Sequence, residues 1–235
     1  QYLEASIEPS VRPNLPSRIG LSEMYLARIW LKLKNYPNAL EHLDRAQTSL
    51  QLSNQVDSVV TIARMRAKIF FDLGNLDESL VYLQMALELA SQNDTPAQAA
   101  LSERLLGEVF TQKMSFVEAK EHLESAVTAF ARMNMQLEQA TSLVSLGRAH
   151  LLSHSLEQAG FCFSKALDLS KGDYKEVEWR IMANLAEKEL LNGQPVLALD
   201  YFHKAINRIN SLRSEFWQPS LAGSYALSPL NVFQN

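Results

Sequence analysis

A small residue, a large apolar residue four positions on and an alanine three positions after that recur five times along this chain. The small residues are Ala39, Ser79, Ala119, Ala159 and Ala198, at intervals of 40, 40, 40 and 39 (79−39, 119−79, 159−119, 198−159). The large residues are Leu43, Leu83, Leu123, Phe163 and Phe202; the closing alanines are Ala46, Ala86, Ala126, Ala166 and Ala205. Positions i, i+4 and i+7 lie on one stripe of an α-helix. Each unit therefore predicts a buried helix whose two small residues let a neighbouring helix come close.

A second helix precedes it. Twelve residues before each opening residue stand Ala27, Ala67, Gly107, Gly147 and Ala186, small in all five units. Three positions later come Trp30, Phe70, Phe110, His150 and Glu189, aromatic in the first three. Short turns join the two helices: "KNYPN", "GNLDE", "MSFVE", "HSLEQ" and "GQPVL". Gly74 and Gly193 hold matching places in them, where a helix C-terminus favours glycine. The segments between units, such as "SQNDTP" and "SKGDYKE", carry the residues that end and cap helices.

Helical pairs at a fixed period stack into a solenoid. This pattern of small, aromatic, glycine, small, large apolar and alanine resembles the tetratricopeptide repeat, in units of about 17–53, 57–93, 97–133, 137–171 and 176–211. The resemblance implies an all-α fold, a right-handed superhelical solenoid with a concave and a convex face. The ordinary unit has about 34 residues. Units of 40 residues therefore predict longer helices.

The ends depart from the repeat. Residues 1–16 contain Pro9, Pro13 and Pro16 and read as an extended lead-in. The chain starts at Gln1 without a signal-like segment, which reads as a piece of something longer. Residues 212–235 read as a cap for the last apolar edge, through Leu212, Phe216 and Trp217, or as the start of a next domain. Within them, Ser211-Leu212-Arg213, Ser224-Tyr225 and Val232-Phe233 follow in the order seen where bacterial repeats of this kind run into a caspase-like CHAT protease domain. That resemblance implies that any protease residues lie beyond Asn235.

Nothing in the sequence has the spacing of a catalytic site. There is no phosphate-binding glycine loop, no HExxH and no GxSxG. His150 and His154 stand four apart, a metal-compatible spacing. His150 nevertheless takes the aromatic slot of its unit, and His154 falls in a turn, so packing and exposure are expected of them. His42 and His122 share one register, which points to packing or solvent. Cys162, the only cysteine, excludes an internal disulfide framework and reads as a buried thiol in a reducing, cytoplasmic setting. The expectation is a non-enzyme without cofactor or metal.

Function then belongs to surfaces. The net charge of −4 gives no pull toward nucleic acid or an anionic membrane, and no apolar run approaches the length of a membrane span. In the family resembled, the first helix of each unit lines the concave face. The positions three before and one after its small residue give Met24 and Arg28, Arg64 and Lys68, Arg104 and Glu108, Val144 and Arg148, Ala183 and Glu187. Arg28, Arg64, Lys68, Arg104 and Arg148, with Asn184, form the expected groove site for a protein or an acidic peptide. The bland alternative is that these cations solvate an open face and pair with Glu103 or Glu108. The chaperone-binding clamp of this family needs a basic residue where Met24 stands, and asparagines that the second and third units lack. Two functions follow: an interaction scaffold within a larger protein, or a ligand-gated sensor controlling an attached effector such as a CHAT-type protease, kinase, cyclase or DNA-binding module. A contact with a missing domain of the same protein would be intramolecular.

Overall fold

The computed structural model describes residues 15–51, 55–171 and 174–216. It forms ten helices within them: α1 Leu15–Lys32, α2 Tyr36–Gln51, α3 Val56–Asp72, α4 Leu76–Gln92, α5 Pro96–Gln112, α6 Phe116–Arg132, α7 Gln136–Leu152, α8 Leu156–Ser170, α9 Lys175–Leu191 and α10 Pro195–Phe216. No strand occurs among the described residues. Six of these helices, α3 to α7 and α9, have 17 residues, the lengthening expected of a 40-residue unit.

The turns explain that regularity. Positive φ falls at Lys34, Gly74, Asp94, Met114, Asn134, His154 and Gly193, so the same left-handed residue recurs at intervals of 20 where successive turns are described (94−74, 114−94, 134−114, 154−134). Turns within units and turns between units are thus one device. At Gly74 the next amide, of Asn75, donates to the Phe70 carbonyl (2.8 Å) while the Gly74 amide donates to Phe71 (3.0 Å). The same pair of bonds recurs after Phe110 and His150. These bonds satisfy carbonyls that the helix end leaves open. Only two of the seven positions carry glycine; the other five put a side chain where L-residues are disfavoured.

Each helix packs on the next, and neighbouring first helices also touch, α1 to α3, α3 to α5, α5 to α7 and α7 to α9. The stripe residues lie where the spacing puts them: Ala39, Ser79, Ala119, Ala159 and Ala198 are all fully buried. Ser79 keeps a hydroxyl at such a site by donating it to the Ala67 carbonyl across the helix pair (2.9 Å). At Gly107 and Gly147 a methyl group would overlap Leu123 and the Phe163 ring. Glycine there is a packing requirement, because the large residue of the second helix lies against the first helix's backbone.

Helix α1 begins at Leu15, so Pro16 falls in its first turn, a place where proline costs no hydrogen bond. Helix α10 continues to Phe216, beyond Ser211. Leu212 is half-buried. The expected cap by the Phe216 side chain and Trp217, the lead-in before Leu15 with Pro9 and Pro13, and the CHAT-like pairs Ser224-Tyr225 and Val232-Phe233 lie outside the described residues.

Candidate concave-face site

The two groove registers behave differently. The position one after each small residue faces outward: Arg28, Lys68 and Arg148 are exposed, and Glu108 and Glu187 are partly so. The position three before turns toward the neighbouring first helix. Met24 and Val144 are buried there, and Arg64 and Arg104 are partly buried.

Arg64 is consequently a structural cation. Its guanidinium donates to the Gln98 carbonyl on α5 (3.2 Å) and to Thr61 Oγ1 (3.3 Å). Burial, and secondly the like charge of Arg104, lower its pKa to about 10, with Asp57 opposing. Arg104 pairs with Glu108 Oε1 at 2.5 Å, and the same oxygen accepts a bond from Ser145 Oγ on α7 (2.7 Å). Lys68 pairs with Asp72 at 2.5 Å and lies 5.1 Å over the Phe71 ring. Arg148 Nη1 donates to Asn184 Oδ1 on α9 (3.1 Å), and Asn184 Nδ2 donates to the Arg180 carbonyl (2.7 Å). These bonds stitch successive first helices side by side. Arg28 stands apart at the α1 end.

Arg148 and Asn184 also line a cleft of about 480 Å³ between α7, α9 and α10. Trp179, Arg180, Leu190 and Phe202 complete its wall, with Glu187 and Ala183 between. Neither Arg148 nor Arg180 is in an ion pair among the described residues, in contrast to Lys68 and Arg104. The cleft therefore presents two guanidinium groups that form no close ion pair among the described residues, beside the Glu187 carboxylate, an amide, an indole and two large apolar side chains. Arg180 lies seven residues before Glu187, which continues the outward stripe by two turns. That spacing was available in the sequence; Trp179 and Phe202 come in only through the packing of α9 and α10.

The remaining polar residues are structural in placement. His42 and His122 contact Glu23 and Glu103 at 2.5 Å, in identical registers, and His122 stacks on Phe110. His150 has its Nδ1 buried without a partner. Burial, with Lys120 adding to it, holds its pKa below the ordinary imidazole value against Glu124. Cys162 is buried, which pushes its thiol up to about 11, with Glu124 adding and Lys165 opposing. Among the described residues no group of three or more His, Cys, Asp or Glu is placed to hold a metal ion. No helix among them is long and apolar enough to cross a membrane.

No protein-family model matches this sequence, and no curated protein is recognisably similar to it. Solved structures are similar. BtubC from P. vanneervenii superposes with a TM-score of 0.70 at 18% identity, over 89% of both chains. Aspartyl phosphate phosphatase F from Bacillus subtilis gives 0.73 at 12% identity, over 89% of this chain and 55% of that one. The Rap conjugation gene regulator of plasmid pLS20, in complex with the Phr* peptide, gives 0.69 at 15% identity, over 81% of this chain and 53% of that one. The chain thus spans about half the length of these last two proteins. Kinesin light chain TPR-like repeats from Podosopora anserina share the architecture as well, with a TM-score of 0.66. The repeat register, the ten helices and these superpositions together make the chain a tetratricopeptide-like helical solenoid.

Proposed function

We propose that this solenoid is a protein-interaction module that binds an extended peptide segment carrying both acidic and apolar side chains on its concave face. Binding centres on the cleft formed by Arg148, Trp179, Arg180, Asn184, Leu190 and Phe202. The observation that carries this reading is the cleft's unspent charge. Arg104 and Lys68 are already neutralised and Arg64 is consumed in packing, whereas Arg148, bonded only to the neutral Asn184 amide, and Arg180 are exposed in the cleft without a close carboxylate partner. Guanidinium groups that carry no carboxylate partner recognise carboxylates by paired hydrogen bonds. The peptide complex of the Rap regulator gives this reading precedent in a protein of the same fold. The module makes no bond and breaks none, and it acts as part of a larger protein.

A second reading, ligand gating, is favoured by the Arg148–Asn184 bond between α7 and α9. A carboxylate that takes the Arg148 guanidinium from Asn184 removes one of the links that set how adjacent units stack, and an attached effector would feel that change.

The test is selection of displayed heptapeptides on the full chain, followed by titration of the winners at two salt concentrations. Winners should be enriched in Asp or Glu next to large apolar residues. Arg148→Glu with Arg180→Glu should lower their affinity tenfold or more, about 1.4 kcal/mol, and least at high salt. Equal affinity for the double variant, with its thermal unfolding unchanged, would sink the reading.

A further inference from the structure

The outward face of α1 carries Ile19, Leu26 and Ile29, continued by Leu33 in the turn just after it, 47%, 42%, 54% and 65% exposed. Their spacings of 7, 3 and 4 residues (26−19, 29−26, 33−29) make one continuous stripe along the helix. At two of these four positions, those of Leu26 and Ile29, the apolar equivalents in later first helices are buried, whereas Leu73, in the slot of Leu33, is 49% exposed. In the slot of Ile29 stand Ile69, Val109 and Ala149, at 0%, 2% and 0%. In the slot of Leu26 stand Leu106, Leu146 and Leu185, at 1%, 6% and 6%.

What covers those residues is the second helix of the preceding unit. Ile69 packs in one cluster with Leu43 and Ala46 of α2. Leu106 and Val109 pack with Leu83 of α4, and Leu146 and Ala149 with Ala119 and Leu123 of α6. The charged occupants of this register look the same way. Arg66, in the slot of Leu26, pairs with Asp44 of α2 at 2.5 Å, and Lys113, in the slot of Leu33, pairs with Asp77 of α4. A solenoid end that meets water carries a polar outer face. Helix α1 and the residue that follows it instead have aliphatic side chains at all four positions, two of which hold ion pairs elsewhere.

We propose that this face of α1 is a stacking seat, and that its occupant is the second helix of a further helical pair of the same repeat type. That helix carries the stripe of small residue, large apolar residue at +4 and alanine at +7 that seats on each internal first helix. Residues 1–14 do not write that stripe. A second copy of the chain is disfavoured by size. An 18-residue helix is about 27 Å long and offers a strip about 10 Å wide. That is roughly 300 Å² per partner, against the roughly 800 Å² of a standard interface. A covalently continuous neighbour, positioned by a short turn such as the three residues between α4 and α5, needs no such area.

The structure supplies a register-true probe. Pro16 and Pro96 are equivalent, 80 residues apart, and both lie in the first turn of a first helix. Replacing residues 1–15 by a duplicate of residues 56–95 therefore places α3 and α4 ahead of α1 as they stand ahead of α5. The extended chain is compared with the full natural chain, each with and without Ile29→Arg, by thermal unfolding and sedimentation. We expect the extension to raise the unfolding midpoint by about 5 °C or more. Ile29→Arg should remove most of that gain, yet shift the natural chain by no more than about 1 °C. An extension that gains nothing overturns the seat. A natural chain already sensitive to Ile29→Arg overturns the occupant, since its own lead-in would then cover the face. So does a dimer of the natural chain that Ile29→Arg and Phe202→Glu each dissolve, since a second copy would then be the partner.

Discussion

Helix α8 and helix α10 write the same stripe and end in different surroundings. Phe163 of α8 is fully buried between α7 and α9, its ring against the backbone at Gly147. Phe202, in the same register of α10, is 36% exposed, and its neighbours Leu199 and Ile206 are more so. The residue type is identical; the following helix is what α10 lacks among the described residues. A stripe states a demand for burial, and the next unit decides whether it is met.

The largest expected effect breaks or sharpens this comparison directly. Phe163→Ala should cost about 3–5 kcal/mol of stability, as large core truncations do. Phe202→Ala should cost less, about 1–2 kcal/mol, because about a third of its surface already meets water. Urea melts of the two variants measure the contrast. Equal losses would show that α10 is covered as tightly as α8, by the residues that follow it.

A smaller contrast separates the turns. The last unit and the second turn on glycine, Gly193 and Gly74, whereas the third turns on Met114 at φ 62°. Met114 is exposed and gains little from its side chain. Met114→Gly should therefore stabilise by about 0.5–1 kcal/mol, the relief of the left-handed backbone less the added freedom of the unfolded chain. Gly193→Ala should have the opposite sign. A neutral result for both would mean that the neighbouring helices, not the turn, set the 20-residue rhythm.

The smallest effect concerns pH and the fourth unit. His150 takes the slot filled by Trp30, Phe70 and Phe110, with its Nδ1 buried and unpartnered. Its folded pKa lies below the unfolded value of about 6.5. The unfolded chain therefore binds the proton first as pH falls. Stability is full above about pH 6.5 and declines as the pH drops below it, until the folded form also protonates. His150→Phe should flatten the profile of unfolding midpoint between about pH 7 and pH 5. An unchanged slope would show that the pH response does not come from His150.

The sequence alone determined the repeat, its register and the class of fold. Spacings of 40 residues with small residues at two fixed points admit one kind of packing, since only small side chains let helices approach so closely. The tertiary structure decided which surface is available. Periodicity places a residue on a helix face, but whether that face meets solvent depends on the angle at which the neighbouring first helix crosses it. So Arg64, in a groove register by spacing, is partly buried and bonded into the contact with α5, while Arg148 two units on bonds Asn184 of α9 and stays exposed. Trp179 and Phe202 reach the same cleft from two helices whose sequences say nothing of each other. Only the stacking of α9 against α10 brings an indole, two guanidinium groups and an apolar wall to one place.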